Sequence, residues 1–172
     1  MIDRVAVELA TPGEGRVAVE WDAAALAELQ PGVTPERGLW RLSGELDWDR
    51  LNCLRVLSGR LEDGRRLAIA SLRPAGTVGH AEDLHAGLIG SGSELETLRE
   101  VLFSTEYDAD GRPRRIGLEL LAGASGLPLR VAGEARETSS SSDGGLSRER
   151  ICLELRLGEA SGPALLEVLR RA

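Results

Sequence analysis

The residues with the most chemical potential lie in one short segment, Gly79-His80-Ala81-Glu82-Asp83-Leu84-His85, which gathers both histidines of the chain with two carboxylates. Imidazole and carboxylate side chains are the usual proton carriers and hard-metal ligands near neutral pH. As a metal site the spacing is poor. Two histidines five residues apart do not match the i, i+4 pair of a zinc helix, and on a strand their rings face opposite sides. No metal is therefore expected, and the segment reads as a polar turn or as a source of one acid or base. A second acidic group, Asp108-Ala109-Asp110-Gly111, resembles the start of a calcium loop. Arg112, Arg114 and Arg115 follow where further acidic ligands belong, so a hairpin turn is expected instead. Tyr107 precedes that turn and can offer a hydroxyl at its rim.

Other catalytic signatures are missing. There is no G-x-S-x-G, neither cysteine has a histidine nearby, and the glycines after Ile89 lack the lysine of a phosphate loop. That removes the common hydrolase, kinase and dinucleotide-binding readings, and no cofactor is expected. Cys53 and Cys152 fit no metal spacing and are expected as two reduced, half-buried thiols.

The elements that must position these groups are strands. In Leu98 to Leu121, Val101, Phe103, Thr105 and Tyr107 share one parity, a break follows at 108–113, and Ile116, Leu118 and Leu120 share one parity again. A period of two places alternate side chains on one sheet face, and Asp, Gly and Pro supply the reversal, so this is a hairpin. Val5, Val7 and Leu9 alternate with charge, as do Val17, Val19 and Trp21, which makes an opening hairpin. Asp22 then caps a short helix over Ala23 to Leu29. Trp40, Leu42, Gly44, Leu46 and Trp48 alternate with Arg41, Ser43, Glu45 and Asp47 and predict one strand, its two tryptophans more than about 25 Å apart at about 3.3 Å per residue. Leu51 to Leu61 carries apolar residues on both parities and reads as central or bulged. Further strands are expected over Arg66 to Leu72, Leu84 to Ile89, Leu127 to Val131 and Ile151 to Leu157. The tract Thr138 to Gly145 has no apolar residue and predicts a mobile loop, about 138–146. Ala164, Leu165, Val168 and Leu169 follow a helical spacing behind Pro163, predicting a C-terminal helix over about 161–171.

Nine or ten strands joined by short turns, with no βαβ alternation, point to a mainly β fold. An antiparallel meander closed into a barrel, or folded into a two-sheet sandwich, removes exposed strand edges. A chain of 172 residues can build such a core as a single domain over residues 1–172. With only Trp21, Trp40, Trp48, Phe103 and Tyr107 aromatic, that core is filled by Leu, Val, Ile and Ala. Net charge is −7 and the pI is near 5.0, which excludes sequence-independent nucleic-acid binding because that rests on a basic surface. All 21 cationic residues are arginine, a composition that points to a GC-rich, bacterial coding sequence. No stretch approaches the roughly 20 apolar residues of a membrane span. With an N-terminus, MIDRVAVELA, that carries an acid and no long apolar run, the expected address is the cytoplasm.

The middle of the chain, from about Trp40 to Val131, resembles the lipocalin-like domain of the AttH and carotenoid-hydratase superfamily. The likeness lies in the order of pieces: LRVLSGRLEDGRRLAIASLRP, then Gly79-His80, then STEYDADGRPRRIGLELL with LPLRVAGEA after it. It implies a calycin-type barrel with an apolar cavity. In the hydratases a His, an aromatic residue and an Asp lining that cavity are held to protonate an isoprenoid double bond, which would correspond here to His80, Tyr107 and either Asp108 or Asp110. The chain departs from that pattern in having Glu82 where a second aromatic is expected, and in being about half the length of the two-domain enzymes. Three functions follow as expectations. The first is non-catalytic binding of a small apolar molecule, with Trp40, Trp48, Phe103 and Tyr107 as its contacts. The second is a hydratase or isomerase using Asp108, Asp110, Glu82 or Asp83 beside His80 or Tyr107, for which five aromatics are few to grip a polyene. The third is an interaction module that forms a homo-oligomer through an exposed strand or the C-terminal helix.

Overall fold

A computed structural model describes residues 4–13, 15–32, 38–77, 83–91, 94–123 and 127–172. Three strands open the chain, β1 (Arg4–Ala10), β2 (Arg16–Asp22) and β3 (Trp40–Ser43), and pair antiparallel as a small sheet with β2 in the middle. Between β2 and β3, helix α1 (Ala23–Ala27) is capped as the sequence predicts. Asp22 Oδ1 accepts from the Ala24 and Ala25 amides at 3.0 and 3.1 Å, which satisfies two of the donors a helix start leaves open.

Eight further strands form a closed antiparallel barrel: β4 (Leu51–Arg60), β5 (Arg65–Pro74), β6 (Leu84–Ser91), β7 (Glu94–Tyr107), β8 (Pro113–Ala122), β9 (Leu129–Asp143), β10 (Leu146–Leu157) and β11 (Ala160–Arg171). Each pairs with the next, and β11 returns to β4 to close the ring. This up-and-down meander is the architecture of lipocalin-like folds, and its closure gives every barrel strand a partner on both sides.

Two apolar clusters share the molecule. One fills the barrel from its inner face, with Leu57, Ile69, Val101, Phe103, Ile116, Leu118, Ile151, Leu155 and Leu166 among its members. The other lies outside, where the small sheet and α1 cover β4, β5 and β11; there Val7, Val19, Trp21 and Leu26 meet Leu54, Val56, Ala70, Leu165 and Leu169. A buried hydrogen bond from Trp21 Nε1 to Ser58 Oγ, 2.9 Å, ties sheet to barrel. Strands β4, β5 and β11 are therefore dry on both faces. A register shift between Leu51 and Cys53 turns Leu51 to the outer cluster and Cys53 to the inner one, so the first of these strands is both central and bulged.

The same two-sided burial corrects the predicted C-terminal helix. Residues 161–171 belong to strand β11, with Ala164, Leu166 and Val168 inside the barrel and Leu165 and Leu169 under the small sheet. An apolar run on both parities is what a doubly buried strand requires, and over so short a stretch it matches helical spacing equally well. Pro163 is tolerated because the ladder to β4 begins at the next residue, Ala164 opposite Gly59. The predicted mobile loop is likewise strand. Residues 138–143 pair with 146–151 across the two-residue turn Gly144-Gly145, whose φ values of 57° and 81° suit glycine. Backbone pairing with the anchored β10 is enough to order a serine tract that has nothing apolar to bury. The strand expected from Trp40 to Trp48 stops at Ser43. Gly44, at φ 105°, turns the chain, and Trp48–Arg50 forms a 3₁₀ turn capped by Asp47.

Among the described residues no helix is long and apolar enough to cross a membrane.

Candidate functional site

Along the barrel axis the inner face changes character. In its lower and middle parts Leu57, Leu61, Leu67, Ile69, Leu120, Ile151, Leu155 and Leu166 have no accessible surface, so no water-sized space borders any of them. Glycines on this face are filled by their neighbours: a Cβ at Gly59 would stand 2.6 Å from Leu155 Cδ1, and one at Gly133 2.6 Å from Ile116 Cγ1. This part of the barrel is a packed core.

Above it the inward positions turn polar. Arg55 on β4 is 3% exposed, its guanidinium carbon 4.0 Å from the centroid of the Phe103 ring. Its Nη1 donates to Thr105 Oγ1 at 3.0 Å, and its Nη2 to Ser71 Oγ at 3.2 Å and Asp83 Oδ2 at 3.1 Å. Nη2 also reaches the Phe103 carbonyl oxygen at 3.5 Å. That carbonyl lies on a stretch of β7 beyond the end of its pairing with β6, since the two strands pair over Leu88–Ser91 and Glu94–Thr97. Arg73 on β5 donates from Nε to Asp83 Oδ1 at 3.1 Å and from Nη2 to Oδ2 at 3.2 Å. Asp83, whose side chain has no exposed surface, thus serves two guanidiniums. Both its oxygens accept N–H groups, the arrangement of a carboxylate with no proton to give. Among the described residues Arg55 Nε finds no acceptor. Burial lowers the Arg55 pKa from its ordinary value, while hydrogen bonding to Asp83 raises that of Arg73.

Cys53 sits at the same level. Burial raises its thiol pKa above the ordinary 9.0, against the pull of Arg55, Arg170 and Arg73. The hollow that opens above has a volume of about 510 Å³, and Arg73, Tyr107, Ser140, Ser147, Arg148, Glu149 and Arg170 are among the residues that line it. Five strands contribute these side chains, and the serine tract of β9 supplies part of the wall.

The predicted site residues are scattered relative to this mouth. His80 and Glu82 lie outside the described residues. Asp83, flagged in the same segment, is the buried hub. His85 lies opposite Ser71 on β6 and borders a separate hollow of about 440 Å³ with Leu102, Ser104, Gly117 and Glu119. Tyr107 stands at the mouth, 44% exposed, and Phe103 is buried beneath it. Asp108 and Asp110 are exposed in the hairpin turn, where Asp108 Oδ1 accepts from the amides of Asp110 (2.9 Å) and Arg112 (3.0 Å); their role is to shape the turn. Trp40 and Trp48 pack in the outer cluster and do not join Phe103 and Tyr107. Trp40 Nε1 donates to the buried Glu167 at 3.2 Å, beside Arg148 and Arg150. Cys53 and Cys152 are free thiols, one inside the barrel and one half-buried on its outer side, where burial also raises the pKa.

Sequence reasoning missed Arg55, Arg73, Arg170 and Glu149. Each arginine occupies the parity that its strand otherwise gives to the barrel core, Arg55 between Cys53 and Leu57, Arg73 after Leu67, Ile69 and Ser71, and Arg170 after Leu166 and Val168, but these strands are apolar on both parities, so the sequence does not mark which one faces inward.

A scan against protein-family models finds no match for this sequence, and neither does a search of curated proteins.

Proposed function

We propose that the protein is a non-catalytic binder of a small molecule, held at the polar mouth of a lipocalin-like barrel. The observation that carries this reading is the change along the inner face, from a space-filled apolar core to a hollow of about 510 Å³ lined by Tyr107, three arginines, two serines and Glu149. A concave site of that size with a few convergent polar groups suits a small ligand. With the core beneath packed, the reading puts the ligand's apolar part beside Tyr107 and Val168 at the mouth. Acid catalysis of the hydratase kind draws no support from Asp108 and Asp110, which face solvent, or from Asp83, which is committed to two arginines.

A titration of isotope-labelled protein with a set of small aromatic and aliphatic compounds, neutral and charged, tests the reading by NMR. The expected result is that the compounds that bind shift the amide signals of Tyr107, Ser140, Ser147, Glu149 and Arg170 together. Shifts clustered at the outer hollow near Leu102 and Gly117, or none at millimolar concentration, would refute it.

A further inference from the structure

We propose that the outer end of β9 is a docking edge for a second copy of this chain, which adds its own β9 antiparallel to it. Strand β9 is paired on both sides only as far as Glu134, opposite Arg115 of β8. Over 135–143, among the described residues, it pairs with β10 alone, and its other edge is open. The turn fixes which groups that edge presents. Gly144-Gly145 closes a two-residue hairpin with both φ values positive, so Asp143 and Leu146 form a hydrogen-bonded pair, and bonding to β10 alternates from there. Asp143, Ser141 and Ser139 give their N–H and C=O groups to β10. Ser142, Ser140 and Thr138 turn theirs to the open edge. The hairpin is anchored, since the Ala172 amide donates to the Gly145 carbonyl at 2.8 Å.

An open edge is a template for another strand, and proteins blunt such edges with lysine, proline, inward charges or bulges. The run Thr138 to Ser142 has none of these. Its side chains are small and uncharged, Ser139 to Ser142 are exposed, and the bulge in this ladder lies below it, at Arg136. Such a run fits a copy of itself. Two identical strands related by a two-fold axis perpendicular to their sheet oppose residues of like parity, so their pairing is centred on one residue. Centred on Ser139, it sets Thr138 against Ser140, Glu137 against Ser141 and Arg136 against Ser142, with no like charges opposed. Centred on Ser140, it would oppose Glu137 and Asp143 twice, a destabilising contact. A centre on Ser141 pairs less of the stretch. In the Ser139 register Thr138 and Ser140 of the two copies exchange their outward N–H and C=O groups, and hydroxyl side chains face one another. Little apolar surface is covered, so the dimer is weak and forms at high protein concentration.

Sedimentation velocity and NMR diffusion measured from about 10 µM to about 1 mM protein read the association, and a monomer–dimer equilibrium within that range is expected. Ser140→Pro removes an N–H that points to the open edge and leaves the ladder to β10 whole, so it should weaken association about tenfold or more. Ser139→Lys and Ser139→Asp each set a charge against its own copy and should each weaken association by a similar factor, whereas an equimolar mixture of the two should restore it. Far-UV circular dichroism and the melting temperature establish that each variant is folded. A strict monomer throughout the range, or a dimer that survives Ser140→Pro, would overturn the proposal. A mixture of the two Ser139 variants that stays monomeric would overturn the pairing centred on Ser139. A chain that stays monomeric while an added extended peptide shifts its Ser140 and Ser142 amide signals would give the edge to a different partner. None of these results bears on binding at the mouth, which the small-molecule titration reads separately.

Discussion

At the scale of single residues, Asp83 holds the top of the barrel together. It is the only carboxylate paired with either Arg55 or Arg73 among the described residues, and its side chain is fully buried. Removing one partner from a buried charge cluster costs more than the cluster contributes, because the partners left behind stay desolvated and uncompensated. Asp83→Asn should therefore destabilise the fold by about 3–5 kcal/mol, read from urea denaturation midpoints. A cost below about 1 kcal/mol would mean that water reaches the arginines freely. Cys53, beside them, makes stability depend on alkaline pH. Burial keeps the thiol protonated to higher pH in the folded state than in the unfolded chain, where it ionises near its ordinary 9.0. A folded pKa above the unfolded one gives a contribution that is complete below pH 9.0 and is lost as pH rises through the folded value. Denaturation midpoints should fall above that pH, and more shallowly in Cys53→Ala. A decline of equal steepness in both proteins would remove Cys53 from the explanation.

At the scale of elements, the decisive feature is how many faces of a strand are dry. Strands β1, β2, β7 and β8 and the Ile151–Leu157 end of β10 alternate buried and open positions, and their period of two is legible in the sequence. Strand β11 has no open face along most of its length and carries no alternation, so periodicity alone cannot separate it from a helix. The distinction is measurable. Leu165→Ala and Leu166→Ala remove neighbouring side chains that point into different cores, and each should cost about 2–5 kcal/mol. A strand with one wet face would lose stability at only one of the two. The serine tract of β9 failed to announce itself for the opposite reason. Its order comes from the register that β10 imposes on it, and register is a long-range property absent from the local composition.

Across the whole molecule, the small sheet and α1 act as an outer lid on three barrel strands, and Trp21, with no exposed surface, is the largest side chain buried in that interface. Trp21→Ala should cost about 3–5 kcal/mol and speed hydrogen exchange first in β1, β2 and β3, with the inner barrel protected longer. Uniform loss of protection would mean that sheet and barrel unfold as one unit. The closed meander was legible because its turns and alternation agree. The mouth was not, because Arg55 and Arg73 lie in segments that carry apolar residues on both parities. There an inward arginine looks the same as one on a solvated face. The acidic total charge of −7 repels polyanions at long range, yet it does not describe the inside of the barrel, where Arg55 and Arg73 meet at Asp83.

The most direct test of the account is a crystal structure of the protein grown with benzoate at millimolar concentration. The account predicts benzoate in the mouth with its ring against Tyr107, and the core around Leu57, Ile69 and Leu155 unmoved. Benzoate lodged among those core leucines, or found only in the outer hollow beside His85, would contradict it.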